Sequence, residues 1–240
     1  GGFPQRVFPP IIPGVTTPIT DPEAAIPSFS PEKVDAWELG LKFQTPDRKV
    51  TVNLAGFYTK YKDMQVQVFT SVAPVFRNAG SATIKGFELE TQLRPLSGLL
   101  LEASAGLTDA GYDKIDQATT FIAKGNAFER VSKWTLSAAA TYEYELPGGS
   151  KLRPRVDWSY RSRFFNNSFN TPEIAQKGYH LVNASLGWNS ADEHFALSAA
   201  VKNIADKRYL ISGISVDAVQ AFEGVFNRGR EWSLTASFKY

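Results

Sequence analysis

The chain has 240 residues, and its 26 Lys and Arg against 24 Asp and Glu leave a net charge of +2, so charge gives no sign of a nucleic-acid partner. Hydrophobic residues make up 43%, and no stretch approaches the roughly 20 consecutive apolar residues of a membrane helix, which excludes a helical membrane bundle. Cysteine is absent, which excludes disulfides, thiolate metal sites and a cysteine nucleophile, while the 13% aromatic share is high for one compact soluble core.

The chain opens Gly1-Gly2-Phe3-Pro4, without the basic and apolar regions of a signal peptide, so the expectation is a fragment of an exported protein. Residues 1–30 carry Pro4, Pro9, Pro10, Pro13, Pro18, Pro22 and Pro27 and read as a proline-rich extended loop. From residue 31 to residue 240 the dominant signal has period two, the mark of strands with one apolar and one polar face.

In chain order the apolar faces are Trp37, Leu39, Leu41 and Phe43, a noisier run over 50–61, then Phe87, Leu89 and Leu93. Leu99, Leu101, Ala103, Ala105 and Leu107 follow, then Trp134, Leu136, Ala138, Ala140, Tyr142 and Tyr144. Leu152, Val156, Trp158 and Tyr160 make the next face, and a second noisy run covers 179–188. Phe195, Leu197, Ala199 and Val201 precede the clearest strand, where Trp232, Leu234, Ala236, Phe238 and Tyr240 alternate without a break with Glu231, Ser233, Thr235, Ser237 and Lys239. These are about nine strands, each near the 9–11 residues that a tilted strand needs to cross a bilayer.

The links alternate in length. Short ones lie at 45–48, 95–98, 147–150 and 189–193, and long ones at 62–79, 110–129, 164–177 and 205–228. An up-and-down barrel with short periplasmic turns and long extracellular loops produces this order, whereas a soluble sandwich uses Greek-key links. Aromatic residues gather near strand ends, as at a headgroup boundary, and the faces opposite the apolar ones carry too many charges for a dry barrel interior. The expected fold is therefore all-β: a membrane-spanning antiparallel up-and-down β-barrel segment with a wide polar lumen.

Several motifs carry a family resemblance. Residues 78–90, with Asn78, Gly80, Gly86 and Glu88, resemble the "N-x-G-x-a-x-x-x-G-x-E-x-e" strand of TonB-dependent outer-membrane receptors. Residues 31–42 are similar to the family's "PE-x-x-x-x-y-E-x-G-x-K" strand, and residues 201–209, with Asn203, Asp206 and Tyr209, to its "v-x-N-l-x-D-k-x-Y" element. The segment 229–240 resembles its closing strand, with Tyr240 in place of the more usual Phe.

The resemblance implies a 22-stranded barrel, plugged by an N-terminal domain, that imports iron–siderophore complexes or similar scarce nutrients with energy from TonB. The plug, the TonB box and the first half of the barrel have no counterpart among these residues. Implied partners are outer-membrane lipid, the TonB complex through the missing N-terminal part, a ferric siderophore or similar nutrient, and the barrel-assembly machinery at the C-terminal strand; no nucleic acid and no cofactor are expected. In the family, ligand contacts come from extracellular loops and the plug apex, which makes Tyr112, Phe121, Phe164, Phe165, Phe169, Phe222, Phe226 and Arg228 candidates here.

The residues also have readings of their own. Gly80 and Gly86 suit close strand approach, and Asn203 and Asp206 suit closing a strand into a turn. Arg153, Arg155 and Arg161 share the inner face of one strand, and with Arg163 they would form a basic lining for an anionic ligand. The favoured alternative pairs them with inward Glu102, Glu143 and Glu145. His180 and His194 lack metal-ligand spacing, and Asp109, Asp113 and Asp116 miss the EF-hand pattern, which leaves a solvated loop. The rival functions are a passive porin-like channel and a barrel enzyme, the latter in need of a histidine within a catalytic set.

Overall fold

The computed structural model describes residues 29–69, 74–216 and 219–240, so most of the proline-rich segment lies outside the described residues. The described residues form twelve strands: β1 (Lys33–Gln44), β2 (Val50–Phe69), β3 (Pro74–Leu93), β4 (Leu99–Ile115), β5 (Trp134–Tyr142), β6 (Tyr144–Glu145), β7 (Lys151–Arg161), β8 (Tyr179–Asn189), β9 (Phe195–Lys202), β10 (Leu210–Val216), β11 (Ala221–Phe226) and β12 (Glu231–Phe238). One sheet has the order β1-β2-β3-β4-β5-β7-β8-β9-β12, with β6 pairing β7, and β10-β11 forms a separate hairpin. Every pairing in the sheet is antiparallel between neighbours along the wall, the nine-strand up-and-down arrangement that the alternation implies. The sheet is open, with β1 and β12 at its edges.

The register puts all the apolar faces on one side. Leu41 pairs with Leu54, Leu54 with Leu89, Leu89 with Ala105, and Ala105 with Leu136. Farther along, Ala140 pairs with Val156, Val156 with Ala184, Ala184 with Val201, and Val201 with Trp232. This surface stays open to its surroundings: Leu39, Leu234 and Trp232 are 82%, 72% and 75% exposed. A contiguous apolar face of this size needs an apolar solvent, and the strands' hydrogen bonds are made within the sheet, as lipid requires. Aromatic rings bound the face at both ends. Trp134 and Tyr142 on β5, like Trp232 and Tyr240 at β12, stand eight residues apart, about 26 Å along the strand and roughly 20 Å along the membrane normal after tilt.

Four details depart from the sequence reading. The expected long link at 62–79 is mostly strand, because β2 runs on to Phe69 and β3 begins at Pro74. Link 110–129 starts as strand, with β4 reaching Ile115, and includes the one-turn helix α1 (Gln117–Thr120) capped by the Asp116 side chain. Link 205–228 contains the β10–β11 hairpin. The run 134–145 is interrupted at Glu143: the ladder to β7 lapses between Thr141↔Arg155 and Tyr144↔Leu152, where Pro154 has no N–H to donate, while Glu143 N–H donates to the carbonyl of Gly98 on the β4 side at 2.8 Å. Gly98 is held at φ +79, and a Cβ there would overlap the Glu143 carbonyl oxygen, so glycine is needed at this crossing.

Two short turns share one construction. In the first, Thr45 Oγ1 donates to Asp47 Oδ1 at 2.6 Å, Lys49 N–H donates to the same oxygen, and Val50 N–H donates to Thr45 Oγ1. In the second, Ser190 Oγ donates to Asp192 Oδ1 at 2.5 Å, and His194 and Phe195 N–H repeat the other two bonds. Arg48 and Glu193 take the same left-handed position, at φ 54 and 57. In both turns hydrogen bonding to the charged form lowers the carboxylate's pKa, the Thr45 or Ser190 hydroxyl being the largest cause.

Candidate functional site

The inner face of the wall carries the polar residues. Arg155 on β7 is held by three neighbours: Nη1 donates to Glu102 Oε2 on β4 at 2.7 Å and to Thr141 Oγ1 at 2.9 Å, and Nε donates to Asp157 Oδ1 at 2.9 Å. Arg155 is thus paired as the favoured alternative expected, although its second carboxylate is Asp157 on its own strand and not Glu143 or Glu145. Nearby, Asn53 bonds Glu90, and Ser104 bonds Ser137. Glu90, Glu102, Ser104, Arg155, Asp157 and Asn183 line one shallow groove on this face.

The long connections form a second, different region. Among the described residues the buried apolar side chains are Ala82, Tyr112, Ile122, Phe164, Ile174 and Tyr179, and they gather where links 116–133, 162–178 and 203–230 meet the strand ends. Amide side chains join these links by imitating backbone. Asn170 both accepts from Ala127 N–H and donates to Ala127 C=O, at 2.7 and 2.9 Å. Asn126 donates to Ser168 C=O, and Asn166 donates to Ile174 C=O. Gln176 accepts from Leu210 N–H at 2.6 Å, and Asn167 bonds Ser215, which brings the β10–β11 hairpin onto the 3-10 turn Pro172–Ile174.

Most of the family-motif residues make a definite contact in the structure. A Cβ on Gly86 would overlap the Leu107 carbonyl oxygen and come within 2.7 Å of the Phe57 ring, and one on Gly80 would overlap the Lys114 carbonyl oxygen. Asn78 bonds Ser30 through both ends of its amide and also donates to Asp63 C=O, holding the irregular stretch of the β2–β3 ladder. Asn203, at φ 52 and buried, accepts from Lys207 N–H and donates to Lys207 C=O. Asp206 accepts from Arg230 N–H at 2.8 Å, which fixes the entry into β12. Tyr209 stacks on Tyr179 with centroids 4.2 Å apart, while Glu88 faces inward beside Glu90.

The candidate ligand residues divide by burial. Tyr112 packs edge-on against Phe128, with centroids 4.5 Å apart. Burial pushes its phenol pKa up; a hydrogen bond with Ser168 opposes the rise and the Glu129 charge adds to it. Phe164 is buried beneath the Arg161 guanidinium, 4.2 Å from its ring, and Arg161 also donates to Ser132 Oγ and Arg130 C=O. Arg163 covers Phe165 at 4.5 Å. Tyr112, Phe164 and Arg161 therefore build the platform, while Phe121, Phe169, Phe222, Phe226 and Arg228 stand exposed on it.

Sequence reasoning missed the amide residues Asn126, Asn166, Asn170 and Gln176, and Asn227, which accepts from Tyr209 N–H and donates to Lys207 C=O. The available signal was Asn and Gln set among aromatics within loops otherwise too polar to pack. His180 lies on the apolar face between Trp158 and Tyr160, at 5.7 and 4.6 Å, and among the described residues no cluster of three or more His, Asp or Glu could hold a metal.

Residues 7–204 match the family model described as TonB dependent receptor-like, beta-barrel. The pesticin receptor of Yersinia pestis is 28% identical over 185 residues, which are 77% of this chain and 26% of that protein. The crystal structure of the ferric yersiniabactin uptake receptor FyuA from Yersinia pestis superimposes with a TM-score of 0.75 at 24% identity, over 90% of this chain and 31% of that one. The siderophore receptor PiuA from Acinetobacter baumannii gives 0.69 at 21%, over 88% and 29%. The chain spans about a quarter of the curated relatives it matches. A wall with one lipid-ready face, a polar inner face, a loop platform at one end and a family match over most of its length agree: the chain belongs to the TonB-dependent receptor β-barrel family.

Proposed function

We propose that this chain forms the C-terminal nine strands of an outer-membrane receptor that binds a scarce nutrient of the iron–siderophore type and imports it with energy from TonB. The observation that carries the reading is the chain's two-sided construction. One face suits only lipid, the other is charged and wet, and a separate aromatic and cationic platform crowns the end with the long connections. The platform's exposed residues, Phe121, Phe169, Phe222, Phe226 and Arg228, match the chemistry of an aromatic, anionic metal chelate. Arg163 joins them at the platform edge.

In this reading the short turns and the C-terminus face the periplasm and the long connections face outside. A closed barrel of 22 strands would cover the open edges of β1 and β12. β12, followed by Lys239 and Tyr240, is the segment offered to the assembly machinery. Energy coupling belongs to the plug and TonB box of the complete receptor.

The test is uptake of radiolabelled ferric siderophores by cells whose only receptor is the complete protein containing this chain. Uptake that saturates and stops on removal of TonB supports the proposal. Uptake proportional to concentration and indifferent to TonB would point to a passive channel and overturn it.

A further inference from the structure

The apolar face of the wall is not uniform beyond its aromatic borders. At the short-turn end, the outward positions close with Phe43, Tyr142, Tyr144, Trp188, Phe195 and Phe238. At the other end, the same outward face continues past Trp37, Tyr58 and Trp134 into a group of lysines. Lys33 pairs with Lys62, Lys60 faces Asp35, and Lys85 lies between Tyr58 and Asp109, all on the side of Trp37 and Phe87. Lys133 joins them through Asp109, 3.6 Å away.

Asp35, Asp109 and Asp113 share this zone and Asp63 acts on Lys62, so five lysines face four aspartates. The Lys85–Asp109 and Lys133–Asp109 pairs are open, at 3.8 and 3.6 Å, with all three side chains about half exposed or more. Exposed pairs of this kind are weak, and a better-placed anion can compete for them. Lys62–Asp35 is tighter, at 2.9 Å. Lys60 also lies 6.0 Å from the Tyr58 ring, at the border between the apolar and charged zones.

We propose that Lys33, Lys60, Lys62, Lys85 and Lys133 form a docking surface for the phosphate groups of lipid head groups in the leaflet around the loop platform. The position selects the occupant. These ammonium groups stand on the lipid-facing side, directly above an aromatic border that places rings at headgroup depth, so the molecules beside them are lipids. Their excess positive charge complements phosphate and has no counterpart among the outward positions at the short-turn end of the described strands. The surface spans β1 to the start of β5, five neighbouring strands about 20 Å across, wide enough for a head group with two separated phosphates. The proposal rests on the outer-membrane reading above and adds a lipid preference confined to one leaflet and one arc of the barrel.

The test uses the complete receptor in dodecyl maltoside, titrated with diphosphorylated lipid A and read by native mass spectrometry. The combined Lys33→Gln, Lys60→Gln, Lys62→Gln, Lys85→Gln and Lys133→Gln variant is expected to bind at least about tenfold more weakly, since each lysine near an anionic surface contributes several-fold. A milder Lys60→Gln/Lys85→Gln variant, expected to lose at least about fivefold, serves if the larger one fails to migrate as a folded barrel. Equal binding by wild type and variant overturns the proposal. So does equally tight binding of the lipid stripped of its phosphates, or full displacement by inorganic phosphate at millimolar concentration. Ferric-siderophore uptake by the same variants is read separately: unchanged uptake with lost lipid binding supports this inference, and lost uptake in the wild type bears only on the transport reading.

Discussion

The membrane wall and the loop platform solve the same problem in opposite solvents. The wall has almost no core of its own, since its Leu, Val and Phe side chains point away from the chain and are exposed. The platform, in contact with water, hides Ile122, Phe164 and Ile174 and holds its links together with amide side chains. In the wall, order comes from ladder register; in the platform, it comes from burial and side-chain hydrogen bonds between residues more than 40 positions apart. Exposure of a large apolar residue therefore has no fixed meaning in this molecule.

The largest expected effect breaks the wall from within. Gly86→Val puts side-chain atoms into the Leu107 carbonyl and the Phe57 ring, so β3 and β4 cannot keep their spacing. The complete receptor should fail to give a heat-modifiable barrel on a gel, a loss of about 3 kcal/mol or more. Normal assembly would show that the strands are not held as closely as described.

Next comes a matched pair. Leu234 and Phe121 are each 72% exposed. Leu234→Arg places a charge on the apolar face and should destabilise the barrel in lipid by about 2–4 kcal/mol. Phe121→Arg, on the platform, should stay within about 0.5 kcal/mol. Urea unfolding from vesicles measures both, and equal effects would erase the distinction between the two regions.

A third experiment isolates the platform. Ile174→Ala opens a cavity beneath the β10–β11 hairpin, against Gly213, and should cost about 2–3 kcal/mol locally. Hydrogen exchange should quicken across links 116–133 and 162–178 and the hairpin, while the amides of β5, β7 and β8 keep their protection. Loosening of the whole wall would mean that the two regions fold as one unit.

The smallest effect concerns the paired turns. Asp47 and Asp192 have folded pKa values below the ordinary 3.8, so their contribution is complete above that value and is lost as pH falls through the lower folded one. Carboxyl NMR titration should give midpoints under 3.8 for both, and Asp47→Asn and Asp192→Asn should remove the acid dependence of the two turns. A midpoint at or above the ordinary value for either would break the likeness between them.

The wall was legible in the sequence because lipid and lumen impose a strict period of two, visible from Trp232 to Tyr240 without interruption. The extra length of β2 and β3 was not: beyond Tyr58 the outer face leaves the hydrocarbon for polar surroundings, so Lys60, Tyr61, Lys62 and Asp63 show no apolar–polar alternation although the ladder continues. The platform was the least legible part. Ile122 stands between Phe121 and Ala123, and Ile174 beside Ala175, in links without periodicity, and nothing local tells that Ile122 is buried while Phe121 is exposed. Arg155 was half legible, because a residue two positions along a strand shares its face, which makes Asp157 a partner as natural as Glu102.

The two turns built on Thr45 and Ser190 bear on how such a barrel could have grown. Each is a six-residue cassette, Thr45–Val50 or Ser190–Phe195, that sets where its two strands meet by contacts made wholly within itself. A hairpin carrying such a cassette brings its own alignment wherever it is inserted. Strands can then be added two at a time by gene duplication without realigning their neighbours, which is consistent with the even strand numbers of bacterial barrels. Exchanging the two cassettes should leave both hairpins in register.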